Sequence, residues 1–216
     1  MEEKYPALSC REFLERVASA EPTPGGGGAA SYCGAMGAGL LAMVGRCTVG
    51  KKAYAEVEEE VQELIGLADG LREELLAGVD GDAAAFSPLS KAYGLPANSP
   101  EEKAEKQQRL AECSLAAARL PLELAEKAGR GLDAAARLAE IGSRLVISDA
   151  VCGAAMLLAA QKSLAVTVRI NLGALRAAGG DYAAFAEQAE ERLCSLILEG
   201  ERLEQVAAAK AAARMN

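Results

Sequence analysis

The groups able to do chemistry in this chain are carboxylates, lysines, hydroxyls, thiols and backbone amides, because its 216 residues include no histidine. That absence excludes Ser-His-Asp triads, Cys-His pairs, imidazole acid/base catalysis and His-ligated zinc. Asp80 and Asp82, in the string GVDGDAAAF, lie on an Ala-rich stretch that can turn a carboxylate toward the interior. Desolvation there raises a carboxyl pKa toward a range useful for proton transfer. Asp149 follows Ser148 and precedes the apolar run AVCGAAMLLAA, where a helix N-cap is expected. It reads either as a cap or as a second acid/base candidate. Asn171, inside VTVRINLGAL, is a polar group in apolar surroundings and needs a partner or a ligand.

A second constellation is the string EPTPGGGG, which ends in Pro24, Gly25, Gly26, Gly27 and Gly28. Glycines running into a helix N-terminus present free amides at the positive end of the helix dipole, a cradle for a carboxylate, a phosphate or a developing oxyanion. A plain flexible turn is the simpler reading. Four consecutive glycines flanked by prolines exceed what a turn needs, which favours close approach of the backbone to a ligand. Further on, GRCTVGKK falls short of the phosphate-binding loop, because Lys52 stands where the magnesium-holding hydroxyl belongs. That loop should also follow a strand, whereas a helix precedes this one, so nucleotide binding is set aside. Lys51 and Lys52 remain a pair of cations near a helix end, either solvated and matched to the dipole or part of a binding site.

Helices must position these groups. Ser9 with Glu12 forms a capping box that opens a helix running to about Ala20. The prolines and glycines break the chain, and a second helix follows from Ala29 to about Cys47. Gly34, Gly37, Gly39 and Gly45 cost that helix about 4 kcal/mol of intrinsic stability relative to alanine. The loss must be offset by a tight helix seam, by a pocket wall, or by both. A long amphipathic helix is predicted from about Lys52 to Phe86, its apolar residues from Val57 to Val79 recurring at three- and four-residue steps. Pro88, Gly94 and Pro96 mark an irregular connection before Ser99, Pro100 and Glu102 open the next helix, which Pro121 should kink or restart. Helical pattern resumes from Ser148 to Gln161, and Gly179 to Asp181 separates it from a last helix that runs nearly to the end. The short LVI and VTVRI runs are too isolated for a sheet.

Composition bounds the rest. The chain is 51% hydrophobic with only 4% aromatic residues, much of the apolar share being alanine, which favours close-packed helices in a single domain. A formal charge of -8 works against nucleic-acid binding. The charge-free run from Pro22 to Gly45 is long enough to span a bilayer, yet it opens with prolines and glycines and reads as a buried core helix rather than a membrane span. Cys10, Cys33, Cys47, Cys113, Cys152 and Cys194 include no C-x-x-C pair, so reduced and mostly buried thiols are expected, with no metal. The acidic start MEEKYPALSC has no apolar signal core, so a cytoplasmic protein is expected.

Taken in order, PTPGGGGAASYCGAMGAGLLAMVGRCTVGKKAY, VDGDAAAF, ARLPLELAEKA, SDAVCGAAMLLAA and VRINL resemble the formiminotransferase-cyclodeaminase C-terminal family, which includes stand-alone methenyltetrahydrofolate cyclohydrolases. The likeness spans nearly the whole chain. It implies an all-α antiparallel bundle of long helices that forms homodimers, needs no tightly bound cofactor and takes a tetrahydrofolate derivative as substrate. It further implies that Asp82 or Asp149 serves as the acid/base, that Pro24 and Gly25 to Gly28 pack along the pterin or its tail, and that Lys51 and Lys52 meet the anionic glutamate tail. Asn171 joins the substrate-binding set. Animal members carry a fused formiminotransferase domain that is absent from this sequence, which favours cyclohydrolase over cyclodeaminase activity. A silent helical module that only dimerises or binds a partner is the reading from a different class.

Overall fold

A computed structural model describes residues 4–215, and every regular element among them is helical. Six α-helices follow in order: α1 (Cys10–Val17), α2 (Gly26–Arg46), α3 (Glu58–Tyr93), α4 (Pro100–Ile141), α5 (Ile147–Ala178) and α6 (Gly180–Met215). Short 3-10 turns occupy Tyr5–Ala7, Lys52–Val57 and Arg144–Val146. The neighbours α2·α3, α3·α4, α4·α5 and α5·α2 close a ring, so these four helices form an up-down bundle, and α6 packs into the groove between α4 and α5. Its centre is built from leucines, among them Leu41, Leu75, Leu132, Leu157 and Leu164, all fully buried.

Several elements differ from the sequence expectation, each for a local reason. α2 begins at Gly26 rather than Ala29, so Gly26, Gly27 and Gly28 form its first turn and Gly25 is its N-cap. α3 continues through Pro88 to Tyr93. Ala84, whose carbonyl loses its helical donor to that proline, is exposed, as is Pro88 itself, so the deficit falls on the wet face. α4 likewise runs unbroken past Pro121. α5 extends to Ala178 and absorbs the VTVRI run, because burial of Leu164, Val168 and Leu172 along one face outweighs the weak helix preference of β-branched residues. The capping boxes at Ser9/Glu12 and Ser99/Glu102 are both formed.

The glycines of α2 are mostly explained as a seam. A Cβ on Gly37 would lie 2.9 Å from the Gly153 carbonyl of α5, and one on Gly153 would lie 3.0 Å from the Gly37 carbonyl, so the two backbones touch with nothing between them. The packing gained at that crossing offsets the helix propensity lost. All six cysteines are free, but only Cys113 is buried, contrary to the expected burial of most of them. Two segments, Gly26–Arg46 and Arg144–Ala178, are long and apolar enough to cross a bilayer, with 61% and 44% of their most apolar windows buried in the bundle.

Candidate active site

The up-down topology puts the start of α2, the last third of α3 and the second half of α5 at one end of the bundle, where they enclose a cavity of about 280 Å³. Gly25, Gly26, Gly27, Asp82 and Asn171 all line it, together with an apolar wall that includes Phe86, Leu89 and Ile170. Four helices therefore bring together residues from the beginning, middle and end of the chain.

Asp82 is the charged group of the cavity. Its Oδ2 accepts the Gly28 N–H at 3.0 Å, so the free amide at the third position of α2 is satisfied by a carboxylate from α3. The anion met by this helix start is thus the chain's own. A Cβ on Gly27 would collide with the Asp82 carboxylate, so glycine at position 27 is what lets that carboxylate lie against the α2 backbone. Burial pushes the Asp82 carboxyl above the ordinary aspartate range, and the Gly28 hydrogen bond only partly opposes the rise. The other oxygen, Oδ1, lies against Gly27.

The neighbouring Asp80 has a different task. Its Oδ1 accepts the Tyr5 N–H at 2.9 Å, and the Tyr5 hydroxyl lies 3.0 Å from the Thr23 hydroxyl. The N-terminal segment is thereby strapped across the proline turn that leads into α2, where the Thr23–Pro24 peptide is cis. Pro24 itself is buried behind the glycines, its Cβ 3.4 Å from where a Gly28 Cβ would stand, so it supports the turn and does not line the cavity.

Asn171 is 6% exposed and its Nδ2 donates to Thr167 O at 3.0 Å and to Ala117 O at 3.4 Å. Both donor hydrogens are so engaged, which turns Oδ1 into the available acceptor at the cavity wall.

Asp149, Lys51 and Lys52 stand elsewhere. Lys51 Nζ reaches Ser143 Oγ at 3.3 Å, the Ser143 N–H donates to Thr48 Oγ1 at 2.8 Å, and the Arg144 N–H donates to the Tyr54 hydroxyl at 3.1 Å. These contacts tie the end of α2 to the start of α5, at the opposite end of the bundle. Gly26 and Arg46 are about 30 Å apart along α2 at 1.5 Å per residue. Within one chain, neither lysine nor Asp149 meets the Asp82 cavity. The expected capping role of Asp149 is also corrected: Val146 is the N-cap of α5, and Asp149 lies inside the first turn, where its charge matches the helix dipole.

Phe86, Leu89 and Tyr93 are cavity residues absent from the sequence expectation, which ends α3 at Phe86 and so leaves the face they share incomplete. Asp82, Phe86, Leu89 and Tyr93 fall at i, i+4, i+7 and i+11, a single helical face that was readable once the proline is placed on the opposite, solvated side.

A half-buried carboxylate under a glycine backbone, its pKa raised by burial, facing an apolar slot with one amide acceptor, defines an all-helical enzyme site without imidazole. Residues 9–193 match the formiminotransferase-cyclodeaminase family model, and the chain belongs to that family. It is 39% identical to the methenyltetrahydrofolate cyclohydrolase of Methylorubrum extorquens, over 89% of this chain and 90% of that protein. It is 32% identical to the formimidoyltransferase-cyclodeaminase of Rattus norvegicus over 88% of its own length, a match that spans only 34% of the rat protein. A crystal structure of formiminotetrahydrofolate cyclodeaminase from Thermotoga maritima superposes with a TM-score of 0.73 at 28% identity, covering 96% of this chain and 97% of that one.

Proposed function

We propose that the chain is a methenyltetrahydrofolate cyclohydrolase that converts 5,10-methenyltetrahydrofolate and water to 10-formyltetrahydrofolate at the Asp82 cavity. The observation that carries this reading is the Asp82 carboxylate, fixed on Gly28 N–H and faced by the apolar slot. The methenyl carbon lies between two nitrogens that share a positive charge. A carboxylate beside it stabilises the cation and takes a proton from the attacking water as the C–O bond forms. The resulting carbinolamine collapses when Asp82 returns that proton to N5: the C–N5 bond breaks, the hydroxyl proton leaves to solvent, and the formyl group remains on N10. A carboxyl pKa raised by burial suits both directions of this transfer. Asn171 Oδ1 is placed to accept from a pterin N–H. No metal and no tightly bound cofactor enters this scheme, and among the described residues no group of three or more His, Cys, Asp or Glu is arranged to hold an ion.

The same reading includes a homodimer in the cytoplasm, with neither nucleic acid nor membrane as a partner. The outward face of α5 carries Cys152, Ala155, Ala159, Val166 and Ile170, an uncharged stripe on which Val166 is 64% and Ile170 is 79% exposed. Met36 and Met43 of α2 extend it. A second copy packed antiparallel about Ala159 covers this stripe and carries the partner's Asp149 end toward Ile170, at the mouth of the Asp82 cavity. That arrangement gives Asp149, Lys51 and Lys52 a route to the substrate which a single chain denies them.

Following loss of the methenyl chromophore with purified protein tests the activity, and assaying ammonia from 5-formiminotetrahydrofolate tests the cyclodeaminase alternative that the rat and Thermotoga relatives bring with them. Turnover of the methenyl compound without ammonia release is the expected result. Ammonia release alone reassigns the enzyme, and no turnover of either folate leaves the silent binding module.

A further inference from the structure

The groove where α6 meets α4 and α5 holds a separate cavity of about 150 Å³. α4 and α6 run parallel along it, since Arg192 pairs with Glu126 and, further along both helices, Lys210 pairs with Glu140. Residues of the two helices therefore face each other level by level. Arg130 and Arg192 line one end of the cavity, and Asp133 and Glu199 line the other. The wall is thus polarised lengthwise, from cationic to anionic.

The floor repeats that polarity. It is the side-chain amide of Gln161 on α5, a residue only 1% exposed, which lies between two glycines of the cavity. A Cβ on Gly129 would stand 3.0 Å from Nε2, and one on Gly200 would collide with Oε1, so glycine at both positions leaves the amide room to lie there. Nε2 donates one N–H to Ala125 O at 3.3 Å, whereas Oε1 has no partner among the described residues. The donor end lies at Gly129, next to Arg130. The orphaned acceptor lies at Gly200, next to Glu199, and an acceptor buried without a donor is costly to keep.

Two of the wall charges are also unmatched. Glu126 holds Arg192 at 2.7 Å and Glu199 holds Arg202 at 2.6 Å, but Arg130 and Asp133 form no ion pair among the described residues, not even with each other. Partial desolvation of the Asp133 carboxyl, reinforced by the facing Glu199 carboxylate, pushes its pKa up, and Arg202 only partly opposes the rise. A cation placed between these two acids would relieve both effects.

We propose that this cavity binds a free α-amino acid with a short side chain, its ammonium group donating to Gln161 Oε1 between Asp133 and Glu199 and its carboxylate meeting Arg130 and Arg192. The two charges of such a molecule are one carbon apart, and Arg130 and Asp133 differ by about 4.5 Å of helix rise, so both ends are met together. An anion or a cation alone leaves half of the slot unmatched. Gln161 lies about 15 Å along α5 from Asn171, so the site is distinct from the Asp82 cavity and does not depend on the folate reading.

Isothermal titration calorimetry of the full chain with L-alanine, acetate and methylammonium tests the proposal. L-Alanine is expected to bind saturably with Kd on the order of 1 mM, and acetate and methylammonium roughly tenfold more weakly or not at all. Arg130→Gln and Asp133→Asn remove exposed, unpaired charges and should each weaken L-alanine binding roughly tenfold while leaving the melting temperature of the free protein unchanged. Gln161→Met should fold at least as stably and lose the binding. Absence of saturable binding, equal affinity for acetate, or wild-type affinity in both charge variants overturns the assignment. A site-resolved reading comes from backbone amide NMR signals, where glycine, as a second probe, should move Gly129 and Gly200; shifts confined to other parts of the chain would place the binding elsewhere and overturn it as well.

Discussion

The side-chain amide of Asn171 donates to the carbonyl of Ala117, the same carbonyl that Pro121, four residues further on, cannot satisfy for lack of an N–H. A proline that removes one helical hydrogen bond from α4 has thereby created the acceptor that orients a cavity residue on α5. The repair also explains why α4 passes through Pro121 without interruption. Asn171→Ala should leave that buried carbonyl unpaired and destabilise the fold by about 1 kcal/mol. Loss of the acceptor toward the substrate should raise KM about tenfold, read from initial rates against the denaturant midpoint of the same variant.

Gly27→Ala should strike catalysis harder than stability. The added methyl would drive the Asp82 carboxylate off the α2 backbone, and a displacement of about 1 Å at a proton-transferring group costs on the order of a hundredfold in rate. Gly66→Ala of α3 is the control, since a Cβ there meets nothing within 4 Å and the residue does not line the cavity. Equal activity of the two variants would separate the glycine turn from the Asp82 geometry.

Asp82→Asn should abolish turnover by a factor of about 10² or more and at the same time stabilise the protein at neutral pH. The folded-state pKa of Asp82 lies above its unfolded value, so the native state binds the proton more tightly than the unfolded state. That contribution is present below the unfolded pKa and is lost as pH rises through the folded one. Melting temperatures of wild type and variant should therefore converge in acid and separate toward neutrality, with the variant higher. The wild-type kcat/KM should rise with pH on a limb displaced upward from the ordinary aspartate range.

How much of this was legible in the sequence follows from where each signal lives. The capping boxes and the α-helical class could be read locally, because each depends on residue types at fixed spacing, whereas the meeting of Gly28 with Asp82, 54 residues further on, is set by the packing of α2 on α3. The continuation of α3 past Pro88 and of α4 past Pro121 could not. Whether a proline breaks a helix depends on who takes the freed carbonyl, water at Ala84 or Asn171 at Ala117, and that partner is fixed only by tertiary structure. The resemblance places Lys51 and Lys52 on the same substrate as the glycine turn, yet a helix of the length of α2 puts its two ends at opposite poles of the bundle.

Gln161→Met should raise stability by about 1 kcal/mol. Gln161 is 1% exposed and wedged between Gly129 and Gly200, with its Nε2 donating to Ala125 O at 3.3 Å and its Oε1 unpaired. Removing an unsatisfied buried acceptor at similar volume favours the folded state, and urea denaturation reads the change.

Ala155→Lys tests the proposed seam, since Ala155 lies on the exposed stripe of α5 outside the Asp82 cavity. A charge there should convert a dimer to monomers in sedimentation velocity with the helical circular dichroism retained. A dimer that survives it moves the interface elsewhere.

The Asp82 cavity draws its walls from four helices, and no stretch of the chain shorter than residues 22–171 contains all of its lining. On the proposed reading, catalysis is consequently a late reporter of assembly: a bundle in which any one of these four helices is unpacked, however helical, has no such slot. Loss of turnover in denaturant should trace the same curve as loss of the whole fold, which makes the enzyme's own reaction a gauge of how cooperatively its helices come together.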